Sequence, residues 1–395
     1  MDGFNRRGFM FGTGVGLLSA GFPAGVSAAV AQADMMKEAV KEKISMKNDT
    51  CFNVRDFGAL GNDKDSDTEA IQRALDEAGK VQGTVCFPAG IYRCHDLKVP
   101  AHVTLHADPA WIFRNERVGA VLQLDSPDAE CLLNITGAYG VHIHGLMLSG
   151  IRETPKPVHG IFLNNPEKWS QKEDTVVIDD AKISGFSGHG VYLNRIWLFI
   201  IRHSQCCYNG GCGMFIRGWD GFVTDNQFSA NGSHGFGCDE VGATVMFTAN
   251  RVEWNKGYGL HLLNGDAWNV TGNSFDRNWG AGISATNMQA TTITGNLFRR
   301  CGKDSNQLVE GEQSCQMTLE NCAGITVTGN VFRAGRDDGG KGLYTPQVGF
   351  IIRKLSYSVI KDNALFNGYM QEMTVDKGEH GKDFIMKDNV GCPMK

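Results

Sequence analysis

The feature that most constrains this chain is a short cassette that recurs at nearly constant spacing. The cassette has six positions: a small residue, any residue, glycine, an apolar residue, any residue, and an apolar or small residue. Its copies lie at 188–193, 211–216, 233–238, 257–262 and 280–285. The shared glycines stand at positions 190, 213, 235, 259 and 282, so successive copies lie 22 to 24 residues apart. This period is too short for a propeller blade and lacks the leucine-rich-repeat pattern. It predicts a parallel β-helix, in which coils stack about 4.8 Å apart.

A second cassette runs in phase with the first and ends each time in asparagine. Its asparagines are Asn226, Asn250, Asn273, Asn296, Asn330, Asn363 and Asn389. Such regularity predicts a structural turn ladder rather than a set of ligand contacts. The two longest intervals, 296 to 330 and 330 to 363, leave room for loops around residues 301–315 and 336–346. We expect these loops to border a binding cleft.

Composition narrows the class further. Fifty glycines against ten prolines among 395 residues indicate a turn-rich all-β chain. A formal charge of −5 provides no basic field for a nucleic-acid backbone, so no nucleic-acid partner is expected. No apolar run beyond the N-terminal region approaches the roughly 18 residues that cross a bilayer, so no membrane partner is expected. The twelve cysteines, without zinc-ligand spacing, are expected to be mostly buried free thiols.

The N-terminus has the composition of an export signal. Arg6 and Arg7 precede a weakly apolar stretch over 11–22 and small residues over 24–33. This order predicts a twin-arginine signal peptide over 1–33, followed by a linker over 34–50. The mature protein is therefore expected to be periplasmic or extracellular.

Residues 53–92 resemble the opening of the pectate-lyase-like superfamily of right-handed parallel β-helix proteins. The resemblance is carried by Asn-Val-Arg-Asp-Phe-Gly-Ala at 53–59, the acidic segment 63–67, an amphipathic run over 68–75 and the segment 83–92. It implies an all-β solenoid domain over 51–395, with an N-terminal helical cap over 51–83 and coils over 84–391. Asp67 or Thr68 is expected to begin the cap helix, whose Ile71, Ala74 and Leu75 would cover the open end of the solenoid.

The same resemblance implies a secreted carbohydrate-active enzyme with a polysaccharide or oligosaccharide substrate. It does not choose among lyases, polygalacturonases, epimerases, fructan transferases and tailspikes, because members place different catalytic groups on one fold. Many such proteins form trimers, so a homotrimer is left open. No metal ligands and no certain cofactor are assigned, and Ca²⁺ is left open.

Strand alternation assigns the chemically active side chains to the outer wall of the coils. The candidate catalytic residues are Arg217, Asp239, Glu240, His261 and Asp266. The candidate substrate-binding residues are Tyr192, Asn194, Arg195, Phe215, Trp219, Asn264 and Trp268. A second column, His189, Cys212, His234 and Tyr258, precedes the cassette glycines and is expected to consist of turn residues rather than metal ligands.

Two mechanisms fit the outward residues. In a lyase or epimerase, His261 or Tyr192 exchanges the proton next to a uronate carboxylate, while Arg217 or Arg195 neutralises developing charge. In a glycoside hydrolase or fructan-type transferase, two of Asp239, Glu240 and Asp266 share the acid and base roles. Cleavage by β-elimination is the preferred prediction. A non-catalytic glycan-binding protein, in which these charges are only a solvated ladder, is the alternative from another class.

Overall fold

The computed structural model describes residues 51–114, 116–166, 172–303, 307–335, 346–366 and 371–391. The predicted signal peptide and linker, and residues 336–345 of the second predicted loop, lie outside the described residues, so the twin-arginine route stays a prediction. Within the described ranges, no helix combines the length and apolar character needed to span a membrane.

Short strands account for most of the described structure, with one α-helix, α1 (Thr68–Val81), near the start. In chain order the strands are β1 (Cys51–Asn53), β2 (Asn62–Ser66), β3 (Thr84–Cys86), β4 (Gly90–Cys94), β5 (Leu97–Lys98), β6 (Thr104–His106), β7 (Ala120–Leu124), β8 (Cys131–Asn134), β9 (His142–His144), β10 (Met147–Ser149), β11 (His159–Asn164), β12 (Val176–Asp179), β13 (Lys182–Ser184), β14 (Val191–Arg202), β15 (Gln205–Cys207), β16 (Met214–Thr224), β17 (Gln227–Ser229), β18 (Phe236–Thr248), β19 (Arg251–Glu253), β20 (Leu260–Leu263), β21 (Gly265–Asp266), β22 (Asn269–Thr271), β23 (Ser274–Asp276), β24 (Ile283–Thr286), β25 (Thr292–Thr294), β26 (Leu297–Arg299), β27 (Cys315–Glu320), β28 (Thr326–Thr328), β29 (Val331–Arg333), β30 (Val348–Arg353), β31 (Ser358–Lys361), β32 (Ala364–Phe366), β33 (Glu372–Asp376) and β34 (Phe384–Lys387). A short 3-10 helix, Val54–Phe57, precedes α1.

The strands form a right-handed parallel β-helix, which confirms the predicted fold class. Each coil pairs in parallel with its neighbours, and β14 shows how one coil is divided. Its residues 191–194 belong to what we call the first face, and its residues 196–202, beyond an irregularity at 194–196, belong to the second face. The following β15 lies in a separate 12-stranded sheet, the third face. One coil therefore crosses three faces before the next begins.

Alternate side chains fill the interior. Val191 and Leu193 are fully buried, whereas Tyr192 between them is partly exposed. Phenylalanines also stack along the axis, with Phe298 lying 5.0 Å from Phe275 and 4.6 Å from Phe332 between ring centroids. The core is thus a column of like side chains, as stacked equal coils require.

The predicted asparagine ladder is confirmed. The side-chain N–H of Asn226 donates to Asn250 Oδ1 at 3.1 Å and to the backbone oxygen of Ile201 at 2.9 Å. The same pattern continues through Asn250, Asn273, Asn296, Asn330, Asn363 and Asn389. A second buried ladder, which was not predicted, is formed by Asn209, Asn231, Asn255 and Asn278. Its signal was available, because a glycine follows each of these asparagines within two residues.

Helix α1 covers the first coil. Ile71, Ala74 and Leu75 are fully buried, as expected, and the helix contacts β1, β3 and β5. The Asp67 side chain does not cap the helix, because its carboxylate instead accepts the backbone N–H groups of Leu60 and Gly61.

One disulfide fixes this end of the solenoid, and the sequence did not predict it. Cys51 and Cys86 join β1 to β3 with their Cα atoms 6.0 Å apart. The nine other cysteines within the described ranges are free and buried, as expected for small apolar residues.

Candidate functional site

An outward column of side chains runs along the first face. The register pairs Phe162 with Tyr192, Tyr192 with Phe215, Phe215 with Gly237, and Gly237 with His261. The rings of Phe162, Tyr192 and Phe215 stack at centroid distances of 5.4 and 5.6 Å. The column then turns polar at His261, which is followed by Ser284 and Thr318. The first face thus joins an aromatic half to a polar half.

Arg217 and Asp239 form a bidentate ion pair between these halves. Arg217 Nε lies 2.7 Å from Asp239 Oδ1, and Nη2 lies 2.9 Å from Oδ2. Glu240 Oε2 is 3.7 Å from Arg217 Nε, and the guanidinium lies over the Phe215 ring. Hydrogen bonding to Asp239 raises the pKa of Arg217. The charge of Asp239 is therefore already balanced within the protein.

His261 is the titratable group at the centre of the polar half. Its ring lies 4.6 Å from that of His234 and 5.1 Å from that of Tyr258. Burial lowers the pKa of His261, which keeps the imidazole neutral near physiological pH. Its Nδ1 is buried and has no hydrogen-bond partner among the described residues. A buried nitrogen without a partner is costly, and such groups concentrate at functional sites.

A cleft of about 340 Å³ opens over His261. We call it the His261 cleft. Its lining includes Tyr258, His261, Ser284, Thr286, Thr318, Glu320, Ile351, Arg353 and Lys377, together with Gly311 and Gln313. The last two belong to the extra segment between β26 and β27, so the described part of this loop borders a cleft, as expected.

Two cations reach the His261 cleft. Arg353 Nη2 lies 2.6 Å from Glu379 Oε1, while Arg353 Nη1 lies 3.4 Å from Glu320 Oε1. The hydrogen bonds that Arg353 donates to Glu379 raise the pKa of Arg353. Lys377 makes no ion pair or side-chain hydrogen bond with any part of the chain that the structure describes. A negatively charged ligand group would therefore meet Lys377 without first displacing an internal partner.

The structure separates Asp266 from the other candidate catalytic residues. Asp266 pairs in register with Ala243 and Gln289, at the corner between the first and second faces. It lines a different cavity, together with Asn264. Arg217, Asp239 and Glu240 form one ion-paired group, and His261 is the only one of the five candidates that lines the His261 cleft, so the predicted set is divided.

The prediction that Trp268 binds substrate is wrong. Its side chain is 1% exposed, packs against Phe236 and donates from Nε1 to the backbone oxygen of Gly242 at 3.0 Å. The preceding Ala267 has a left-handed φ of 55°, and this turn interrupts the outward alternation. The tryptophan therefore belongs to the core and cannot stack on a sugar at the surface.

The other candidate binding residues differ in exposure. Asn194 is 7% exposed and its amide donates to Asn164 Oδ1, so it is part of a short ladder. Arg195 and Trp219 are partly exposed and lie at the corner, where Trp219 pairs with Trp197. Tyr192 and Phe215 are partly exposed on the first face, and Asn264 is exposed beside Asp266.

The two histidines of the edge column, His189 and His234, have structural roles. His189 Nδ1 accepts the backbone N–H of Cys212 at 2.9 Å, and His234 Nδ1 accepts that of Tyr258 at 3.0 Å. Burial lowers the pKa of His189 to about 3 and that of His234 to about 4. Across the described ranges, no group of three or more His, Cys, Asp or Glu side chains is arranged to hold a metal ion.

Four ionisable residues of the His261 cleft were not predicted as site residues. Glu320, Arg353 and Lys377 come from later coils, and Tyr258 had been predicted only as a turn residue. The two longer coils obscured the register that pairs Thr286 with Glu320 and Glu320 with Arg353. Aligning the asparagine cassettes across these insertions would have placed Glu320 and Arg353 in the column.

Three family models match parts of the chain. They are a right handed beta helix region over 132–298, a "Rhamnogalacturonase A/epimerase, pectate lyase-like" model over 51–114, and a "Periplasmic copper-binding protein (NosD)" model over 241–371. Together they cover the cap, the regular coils and the coils with insertions.

Curated relatives come from Azotobacter vinelandii. Mannuronan C5-epimerase AlgE5 is 27% identical over 225 residues, which cover 54% of this chain and 23% of that protein. Alginate lyase 7 is 28% identical over 200 residues, which cover 47% of this chain and 23% of the relative. The matched part of the chain thus spans less than a quarter of the length of either relative.

Solved structures share the fold at low identity. The A-module of mannuronan C-5 epimerase AlgE4 from Azotobacter vinelandii has a TM-score of 0.60 at 19% identity, covering 85% of this chain and 99% of that one. DFA-IIIase from Arthrobacter chlorophenolicus A6 has a TM-score of 0.62 at 12% identity, covering 86% and 94%. Tailspike protein 2 of bacteriophage CBA120 has a TM-score of 0.63 at 14% identity, covering 82% and 51%.

Proposed function

Since this chain is a right-handed parallel β-helix protein of the pectate-lyase-like family, we propose that it is an enzyme that removes a proton from a uronate unit of a polysaccharide. Relatives and structural neighbours are carbohydrate-active enzymes, which supports the general class. The reaction type and the substrate are our proposal.

The observation that carries the proposal is the environment of His261. A general base must be unprotonated at the working pH, and burial of His261 favours the neutral imidazole. The proton next to a carboxylate becomes acidic enough to remove only when charge on that carboxylate is stabilised. Lys377 and Arg353 line the same cleft and supply positive charge for this purpose.

The placement of Tyr258 favours elimination over inversion. The rings of Tyr258 and His261 stack at an interplanar angle of 19°, side by side along the wall of the cleft. Two proton-transfer groups on one side of a sugar can remove the proton and protonate the leaving oxygen, which breaks the C–O bond and leaves a double bond. Inversion instead requires that a proton return from the opposite side. We therefore propose β-elimination, with His261 as base and Tyr258 as acid.

The candidate carboxylates are less well arranged for hydrolysis than His261 and Tyr258 are for elimination. Hydrolases place two carboxyl groups about 5–10 Å apart across the scissile bond, one of them as acid. Here Asp239 is bound by Arg217 through both oxygens, and Asp266 lines another cavity. The hydrolase hypothesis therefore has weaker support from the geometry, and product analysis separates it from the lyase.

The test uses the purified full chain with alginate and with polygalacturonate, each in ordinary and heavy water. We expect an unsaturated uronate at the new chain end, seen by its ultraviolet absorbance and by a mass lower by one water than a hydrolysis product. Addition of water at the cleaved bond would contradict elimination. Deuterium incorporation without cleavage would instead identify an epimerase.

The His261→Gln variant tests the role of the base. Removal of a general base lowers kcat by about 10²- to 10⁴-fold. The matched control is His142→Gln, because His142 is exposed on β9 of the second face and lies outside the His261 cleft. Equal loss in both variants, or full activity in His261→Gln, would contradict the assignment.

A further inference from the structure

A second linear surface follows the corner between the first and second faces. Ala243, Asp266, Gln289, Ala323 and Ser356 pair in register one above another. Five coils at about 4.8 Å per step give a length of about 19 Å. Two cavities of about 420 Å³ each lie along this column and share Asn287 and Gln289, so together they form one continuous depression. We call it the corner groove.

The corner groove is separate from the His261 cleft. The two share no lining residue. A ridge of ion-paired side chains divides them at one end, where Arg353 lines the cleft, Glu379 lines the groove, and the two are hydrogen bonded. A ligand in the groove would therefore not occupy the space over His261.

One wall of the groove is an exposed amide ladder. Asn287 Nδ2 donates to Asn264 Oδ1 at 2.7 Å, and Asn321 Nδ2 donates to Asn287 Oδ1 at 2.6 Å. An amide has two N–H groups and two acceptor lone pairs, so Asn287 keeps one of each for another partner. The buried ladder differs, because the amide of Asn273 is 1% exposed and bonds to neighbours on both sides and to backbone oxygens.

We propose that the corner groove binds a second segment of a polysaccharide chain through its hydroxyl groups. Neutral amides that can donate and accept suit sugar hydroxyls, and the exposed Gln289 side chain adds another amide to the lining of the groove. The groove has the straight form that an extended glycan requires. Trp219 continues the column beyond Ala243 and can pack against the apolar face of a pyranose. Which polymer is bound rests on the proposed function.

Hydroxyl recognition separates this groove from the cleft in its salt dependence. The groove has few charges, which are Asp266 near one end and Lys354 and Glu379 near the other, and Glu379 is already paired with Arg353. Binding through amides should persist at high ionic strength, whereas attraction of a carboxylate to Lys377 should weaken as salt screens it. A polymer without carboxylates should therefore still bind in the groove.

The experiment measures binding by affinity electrophoresis and calorimetry, with alginate and with carboxyl-reduced alginate as probes. Ala323→Trp fills the floor of the groove, Gln289→Ala removes one amide, and Thr292→Ala, exposed on the second face, is the control. We expect Ala323→Trp to weaken binding of both probes about tenfold or more and Gln289→Ala severalfold. Thr292→Ala should bind like the unaltered protein.

The outcome is independent of catalysis. His261→Gln should retain binding of the neutral probe even where it abolishes turnover. If the protein has no lyase activity but Gln289→Ala still weakens binding, only the proposed function is overturned. The proposal that the corner groove binds polysaccharide would be overturned by equal affinities of Gln289→Ala, Ala323→Trp and the control, or by no binding of either probe. If circular dichroism shows that Ala323→Trp does not fold, Gln289→Ala decides.

Discussion

At the residue scale, the partly buried histidines of the first face favour the neutral form, because each ring stacks against neighbouring rings and has lost part of its hydration. His159 and His189 stack at 5.3 Å, and His159 Nδ1 accepts the backbone N–H of His189. Burial lowers the pKa of His159 to about 4, and His234 is similarly affected. Protonation would remove the acceptor at Nδ1 and would place a positive charge on a ring that has lost part of its hydration. Both effects are unfavourable, so these side chains make the stability of the fold depend on pH.

We predict that stability falls in mild acid. The unfolded chain binds protons at these imidazoles below about pH 6.5, whereas the folded chain resists protonation until about pH 4. The contribution of these histidines to the free energy of unfolding is complete above pH 6.5 and is lost as the pH falls toward their pKa in the folded protein. The midpoint of urea unfolding should therefore decrease between pH 7 and pH 5, and less steeply in His189→Asn. Exposed His102→Gln should keep the original slope; identical slopes in all three proteins would contradict this account.

The Arg217–Asp239 pair yields a second prediction at the same scale. Removing either partner leaves the other partly buried and without its bidentate bonds, which we expect to cost about 1–3 kcal/mol in the free energy of unfolding. The double variant Arg217→Ala/Asp239→Ala should lose less than the sum of the single losses. Urea unfolding of the four proteins measures the coupling. Strict additivity would show that the pair contributes nothing beyond two separate surface groups.

At the scale of the element, the turn between the second and third faces depends on its asparagine ladder. Asn273 Oδ1 accepts both the backbone N–H and the side-chain N–H of Asn250, and its own amide satisfies the backbone oxygen of Phe247. These groups are buried, so no water can replace the lost partner. The ladder therefore fixes how each coil leaves one face and enters the next.

Asn273→Ala should lower the free energy of unfolding by at least about 2 kcal/mol, since it leaves several buried groups unpaired. The matched control is Asn287→Gly in the exposed ladder, which preserves the left-handed φ of 56° and should change stability by only about 0.5 kcal/mol. Thermal or urea unfolding compares the two. Losses of similar size would mean that burial does not distinguish the ladders.

At the scale of the whole molecule, α1 closes one end of a solenoid whose coils otherwise offer unpaired backbone groups. Leu75 is fully buried against the first coil, while Glu69 on the same helix is largely exposed. An uncovered end would present a strand edge to another molecule. The cap, together with the Cys51–Cys86 disulfide, thus protects the molecule from growing by end-to-end pairing.

Leu75→Asp should release the cap, because a buried carboxylate without a partner is strongly unfavourable. The expected result is a mass that rises with protein concentration in light scattering, under conditions where Glu69→Gln keeps the mass of the original protein. A Leu75→Asp protein that stays at its original mass at all concentrations would show that the cap does not guard the edge.

The sequence alone determined the features that repeat. The period of 22 to 24 residues, the asparagine ladder and the inward positions of Val191 and Leu193 follow from local alternation copied from coil to coil. Arg217, Asp239 and His261 could be placed on one face for the same reason, since these coils have nearly equal length.

Only the tertiary structure decided what breaks the repeat. The inserted segments changed the count of residues between coils, so the arrival of Arg353 and Lys377 beside His261 could not be read from a fixed spacing. The turn at Ala267 carried Trp268 into the core, and the corner placed Asp266 in another groove. A repeat specifies what each coil has in common, whereas a binding site is assembled from the insertions and turns by which coils differ, and their positions depend on packing across the whole solenoid.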